Sequence, residues 1–145
     1  MFPVNVSAFL EAFCQWAQLR PDIEAVVLVG SYARDAATED SDVDLVVLTS
    51  GVERYLRDRS WLSLFGDVNV GECLQEDYGR VTSLRAFYDG GLEVEFGFTT
   101  PDWADKPVDE GTLSVVRNGM KILYDPKGVV DRMQRNLQLG SDNCQ

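Results

Sequence analysis

The sequence predicts a single α+β domain over residues 1–145, a mixed β-sheet flanked by helices. Three observations carry this reading. Ala25-Val26-Val27-Leu28-Val29 is a short, unbroken apolar run rich in β-branched side chains. That is the pattern of a strand buried on both faces, which requires helices packed on each side. Asp89-Gly90-Gly91 separates two strand-like runs, 81–88 and 92–99, and glycine supplies the positive φ of a tight hairpin turn. Apolar residues recur at helical spacing near both ends of the chain.

In chain order, Val6, Phe9, Leu10, Phe13, Trp16 and Ala17 mark a helix over residues 4–19, with Asn5 or Ser7 as cap and Pro21 as stop. The first strand follows and ends at Gly30-Ser31. Residues 33–41 read as a polar connection, and 43–49 as a second strand with Asp42 and Asp44 at its entry. Ser50-Gly51 turns the chain into a helix over 52–59. The pattern from 61 to 77 is ambiguous, with 68–74 as a candidate strand. After the hairpin, Thr100-Pro101-Asp102 starts a short helix and 120–124 forms the last strand. Pro126 opens a helix carrying Val129, Val130, Met133 and Leu137, and 140–145 is a frayed tail. Phe9, Phe13, Trp16, Trp61 and Trp103 are read as core rather than as stacking platforms, and Cys14 as a buried-face residue.

Composition narrows the function. Apolar residues make up 45% of the chain and charged residues 26%, an ordinary globular balance. Thirteen basic against 24 acidic side chains leave a formal charge of -11, which argues against a broad grip on a nucleic-acid backbone. It leaves room for a nucleotide bound through a divalent cation and for a cationic second substrate. The absence of histidine excludes Ser-His and Cys-His nucleophiles and imidazole-dependent zinc sites. Cys14, Cys73 and Cys144 are odd in number and lack CxxC spacing, which points to a reducing compartment. With no signal peptide and no apolar run of roughly 18 residues, the expectation is a cytoplasmic protein without membrane contact.

The chemistry concentrates between residues 29 and 45. Strand side chains alternate, so Asp42 and Asp44 point the same way with Cα atoms about 6–7 Å apart. Two such carboxylates can converge on Mg²⁺ and repel each other without a cation. A calcium loop beginning at Asp40 fails, because Leu45 stands where glycine is needed and Gly51 where glutamate is needed. A bland strand entry whose acids cap backbone amides remains open at this point. Gly30 and Ser31 can admit and bind phosphate oxygens, and Arg34 can add a guanidinium. Lys121 is a further phosphate candidate. In the second hairpin strand Val94, Phe96 and Phe98 share one face, and Glu93 and Glu95 the other. A carboxylate there would complete a metal site and act as the base that a chain without histidine needs.

Gly30-Ser31, then Asp42-x-Asp44 in the context S-D-V-D-L, then a distal strand carboxylate, resemble the nucleotidyltransferase superfamily of DNA polymerase beta. Within it, Phe65-Gly66 and the aromatic-Asp-Gly-Gly hairpin are most similar to the N-terminal half of aminoglycoside 6-adenylyltransferases and to small bacterial nucleotidyltransferase-domain proteins. The likeness spans roughly residues 25 to 100. It implies a polymerase beta palm-like fold and a reaction that moves an NMP, AMP in the first instance, from ATP or another NTP to a hydroxyl, releasing pyrophosphate. It implies that Asp42, Asp44 and Glu95, rather than Glu93, hold two Mg²⁺ ions. Glu95 would also take the acceptor proton, with Gly30, Ser31 and Arg34 on the triphosphate. The chain departs from the pattern at Asp35, where glycine is common, in having Glu for the usual third Asp, and in lacking the helical C-terminal domain that completes the acceptor pocket. A homodimer or heteromer would therefore close the site, or the acceptor is a macromolecule. The implied acceptor is a small hydroxyl compound such as a cationic aminoglycoside, or a Tyr, Ser or Thr of a partner protein. The alternative is an antitoxin-like interaction module that binds a helical partner with little or no catalysis.

Overall fold

The computed structural model describes residues 4–38, 41–104, 113–114 and 119–143. Helix α1 (Val4–Gln18) leads into β1 (Ile23–Val29), the short helix α2 (Gly30–Ala33), β2 (Val43–Thr49) and α3 (Val52–Arg57). Strands β3 (Leu74–Asp77), β4 (Thr82–Phe87), β5 (Glu93–Thr99) and β6 (Lys121–Tyr124) follow, and α4 (Val129–Asn143) closes the described chain. The six strands form one sheet in the order β3-β4-β5-β2-β1-β6. Every pairing is antiparallel except β2 with β5, which run parallel.

The double-sided burial expected of β1 is present. On one face Val26, Leu28, Leu45, Val47, Phe96 and Phe98 pack under α1, where Phe9 and Phe13 are buried and Trp61 lies edge-on to Phe96 at 5.0 Å between ring centroids. Each such side chain contributes on the order of 2–3 kcal/mol by leaving water. On the other face Ala25, Val27, Val46 and Leu48 pack against Trp103, Met120 and the α4 residues Val130 and Met133. Trp61 and Trp103 are therefore core residues, and Trp16 is partly buried beside Trp61. Cys14 is half-buried, and burial pushes its thiol pKa up. Among the described residues no helix is long and apolar enough to cross a membrane.

Five expectations need correction. Asn5 and Ser7 lie inside α1, which already runs from Val4, so neither is its cap. The candidate strand 68–74 is not found: Val68 makes an isolated bridge to Tyr88, a 3-10 turn at Val70–Glu72 follows, held by the Gly71 amide donating to Asn69 Oδ1 at 3.1 Å, and only Leu74 belongs to a strand, as the first residue of β3. Helix α3 stops at Arg57 instead of residue 59, because the Asp58 carboxylate accepts from the Ser60 amide and hydroxyl and opens a 3-10 turn at Ser60–Leu64. The last helix begins at Val129, where Asp125 caps it by accepting from the amides of Val129 and Asp131. It runs on through 140–143, so the frayed tail is not found there; Cys144 and Gln145 lie outside the described residues, as do Glu39 and Asp40.

One polar cluster pins the end of β2. Asp22 accepts from the Tyr55 hydroxyl at 2.8 Å and from Thr49 Oγ1 at 2.9 Å. Burial by itself would raise the Asp22 carboxyl, but the hydrogen bonds from Tyr55 and Thr49 outweigh it and hold the pKa below the ordinary value. Tyr55→Phe is expected to cost about 1 kcal/mol in urea unfolding at neutral pH. Because a lowered carboxylate pKa stabilises only while the group is ionised, that cost should shrink as the pH falls below about 4.

Candidate active site

The antiparallel β1–β2 register sets Val29 opposite Asp44, and the parallel β2–β5 register sets Asp44 opposite Glu95. Asp44 shares its face with Val46 and Leu48, the face that α4 covers further along the strands. Asp42, just before β2, alternates onto the same face. The sheet thus brings Asp42, Asp44 and Glu95 together, with Glu93 one strand position pair away.

Gly30 follows Val29 directly and begins α2 with φ +75. The space in which a Cβ of residue 30 would stand is taken by the Asp44 carboxylate, so only glycine lets this turn close over the acid. Ser31 is half-buried on the same turn, and its carbonyl accepts from the Ala36 amide at 2.9 Å. The strand end at Gly30-Ser31 is thus a single helical turn, with Gly30 against the Asp44 carboxylate. Arg34 lies at the C-terminal end of α2, exposed, with its aliphatic stem next to Gly119. Among the described residues it makes no hydrogen bond or ion pair to Asp42, Asp44 or Glu95. Lys121, from β6, forms an ion pair with Asp35 at 2.7 Å. Asp35 itself sits at φ +57, in the region where glycine is usual.

Arg85 was not foreseen. Register places it on β4 opposite Glu95. Its Nη1 donates to Asp42 Oδ2 at 2.6 Å and also to Glu93, and its Nη2 donates to Glu95. The signal was available: counting outward from Asp89-Gly90-Gly91 pairs Phe87 with Glu93 and Arg85 with Glu95.

Asp44 is left out of that ion-pair network. Its pKa is raised to about 6, first by burial and then by the nearby charges of Glu95 and Asp42, which Arg85 only partly offsets. A carboxylate that is hard to ionise beside two others is relieved by a cation. The donor set fits a hard divalent ion, since it is all carboxylate oxygen without nitrogen or sulfur ligands. Among the described residues no three acids stand close enough to enclose an ion as placed, and Arg85 lies across the gap between Asp42 and Glu95.

A family model described as streptomycin adenylyltransferase matches residues 5–138. An aminoglycoside 6-adenyltransferase from Bacillus subtilis superposes with a TM-score of 0.54 at 16% identity, over 72% of this chain and 38% of that one. A cytoplasmic RNA terminal U-transferase gives a TM-score of 0.48 at 17% identity, over 78% of this chain and 30% of that one. A CCA-adding enzyme in complex with CTP gives 0.46 at 19%, over 88% and 28%. No curated protein matches the chain. It spans well under half the length of the Bacillus enzyme whose fold it shares. The sheet is a nucleotidyltransferase sheet, and the family model runs over nearly all of its strands and helices: the chain belongs to the streptomycin adenylyltransferase family.

Proposed function

We propose that this chain transfers AMP from ATP to a hydroxyl group of an acceptor, releasing pyrophosphate, and that Asp42, Asp44 and Glu95 form the catalytic centre. The observation that carries the reading is the register match of Asp44 with Glu95, beside Asp42 and under the Gly30-Ser31 turn. When bound there, Mg²⁺ would neutralise the triphosphate and activate the acceptor oxygen. The chain's own residues have separate tasks. Asp42, Asp44 and Glu95 would hold the ions, and Glu95 would accept the proton of the attacking hydroxyl. Gly30 gives the phosphates access to the turn, and Ser31 offers an amide and a hydroxyl to them. Arg34, exposed on the same turn, is free to swing towards the outer phosphates. The acidic surface of a chain with net charge -11 favours a cationic acceptor, in keeping with the aminoglycosides in the names of its relatives.

Calorimetric titration with a non-hydrolysable ATP analogue tests this. Binding is expected in Mg²⁺ and none in EDTA, followed by AMP transfer from labelled ATP to aminoglycosides in an acceptor screen. Absence of nucleotide binding in both buffers would overturn the catalytic reading and leave the interaction module.

A further inference from the structure

We infer that Arg85 is an internal counter-cation of the acid cluster, one that keeps free metal out and makes metal loading depend on the nucleotide. This rests on the assignment of Asp42 and Glu95 as metal ligands. Arg85 holds those same two carboxylates, one on each terminal nitrogen, and anchors the Asp42-bound nitrogen on Glu93 as well. Glu93 is the acid for which the proposed reaction has no use. Its position at the pair nearest the hairpin turn gives Arg85 a partner outside the catalytic trio.

Charge arithmetic decides the order of events. Four carboxylates crowd one sheet face, and a single guanidinium pairs with three of them, offsetting one unit of their charge. A divalent ion entering alone must break two charge-assisted bonds of Arg85 and then sit a few ångströms from the displaced guanidinium. An ion that arrives on a triphosphate brings negative charge with it, so the repulsion with Arg85 is compensated as the bonds break. Arg85 is about 29% accessible, so its flexible stem has room to turn aside while Glu93 retains one of its nitrogens. Arg85 is thus a positioning residue: it sets the geometry of Asp42 and Glu95 before loading and the form in which metal is accepted.

The test is titration of Mn²⁺ alone, followed by Mn²⁺ with the non-hydrolysable ATP analogue, on the native chain, Arg85→Met and Arg85→Lys. Arg85→Met is expected to bind Mn²⁺ alone at least about tenfold more tightly than the native chain, with the gap narrowing once the analogue is present. In EDTA its melting temperature should drop, because the acids lose their counter-charge. Arg85→Lys keeps the charge without the fork and should fall between the two in Mn²⁺ affinity, which keeps the test decisive if Arg85→Met folds poorly. If the native chain takes Mn²⁺ alone as tightly as the variants do, the inference is overturned. It is equally overturned if no variant takes Mn²⁺ alone while the native chain binds the metal–analogue complex, and the catalytic reading then stands. If nothing binds in either titration, both fall.

Discussion

Asp44→Asn is expected to lower AMP transfer by at least about 10³-fold while making the metal-free protein more stable. The two effects share one cause. Asp44 is partly buried and faces Glu95 and Asp42, so its carboxyl is pushed up to about 6. An acid whose folded pKa lies above its unfolded value of 3.8 binds its proton more tightly in the folded state. The associated stability is therefore fully present below about pH 4 and is lost as the pH rises through about 6. Asparagine keeps the shape and cannot ionise, so the loss disappears. In EDTA at pH 7–8 the variant should melt about 2–4 °C higher than the native chain, a modest gain because water still screens one side of Asp44. At about pH 4 the two should melt together. Scanning calorimetry across that pH range reads the effect directly. A variant that retains transfer, or that melts lower than the native chain at pH 8, would show that Asp44 is not the frustrated metal ligand described.

Gly30→Ala should cost both stability and activity. At φ +75 any Cβ is strained, and here it would also overlap the Asp44 carboxylate. The strain and the displacement of Asp44 together are expected to cost about 1–3 kcal/mol in urea unfolding. Misplacing a ligand by even an ångström is expected to lower transfer by about 10²-fold. Gly90→Ala is the control. Gly90 has φ +88 in the hairpin turn, and no atom lies within 4 Å of a Cβ built there. It should share the backbone strain, at about 1 kcal/mol, and leave transfer unchanged. Equal activity losses in the two variants would remove Gly30 from the site.

The parts of this fold legible in sequence are those where burial writes a period. Val26 and Val27 are buried on opposite faces of the sheet, so β1 reads as unbroken apolar sequence. In β5, where Glu93 and Glu95 stand on the less covered face, the alternation is plain. Segment 61–77 resisted reading because its geometry is set by individual side-chain to backbone bonds, such as Trp61 Nε1 donating to the Tyr55 carbonyl at 2.9 Å. Such bonds leave no repeat. Asp42 and Asp44 could be placed on one face by alternation alone. Their meeting with Glu95 depends on β5 lying parallel to β2, a long-range pairing that no local pattern encodes and that only the family likeness implied. Arg85 was within reach, since a hairpin's register follows from its turn, but a lone arginine in an apolar strand carries no signal until its cross-strand partner is counted out.

The one parallel pairing in the sheet also orders the assembly of the chain. Arg85 is eight residues from Glu93 and ten from Glu95, all within one hairpin, and 43 residues from Asp42. Local contacts of that kind close quickly, whereas a parallel pair must wait for the long intervening loop to close. The hairpin therefore reaches β2 with its two glutamates already paired to one guanidinium. The growing sheet does not have to press bare carboxylates against Asp42 and Asp44 in the step that completes the nascent core.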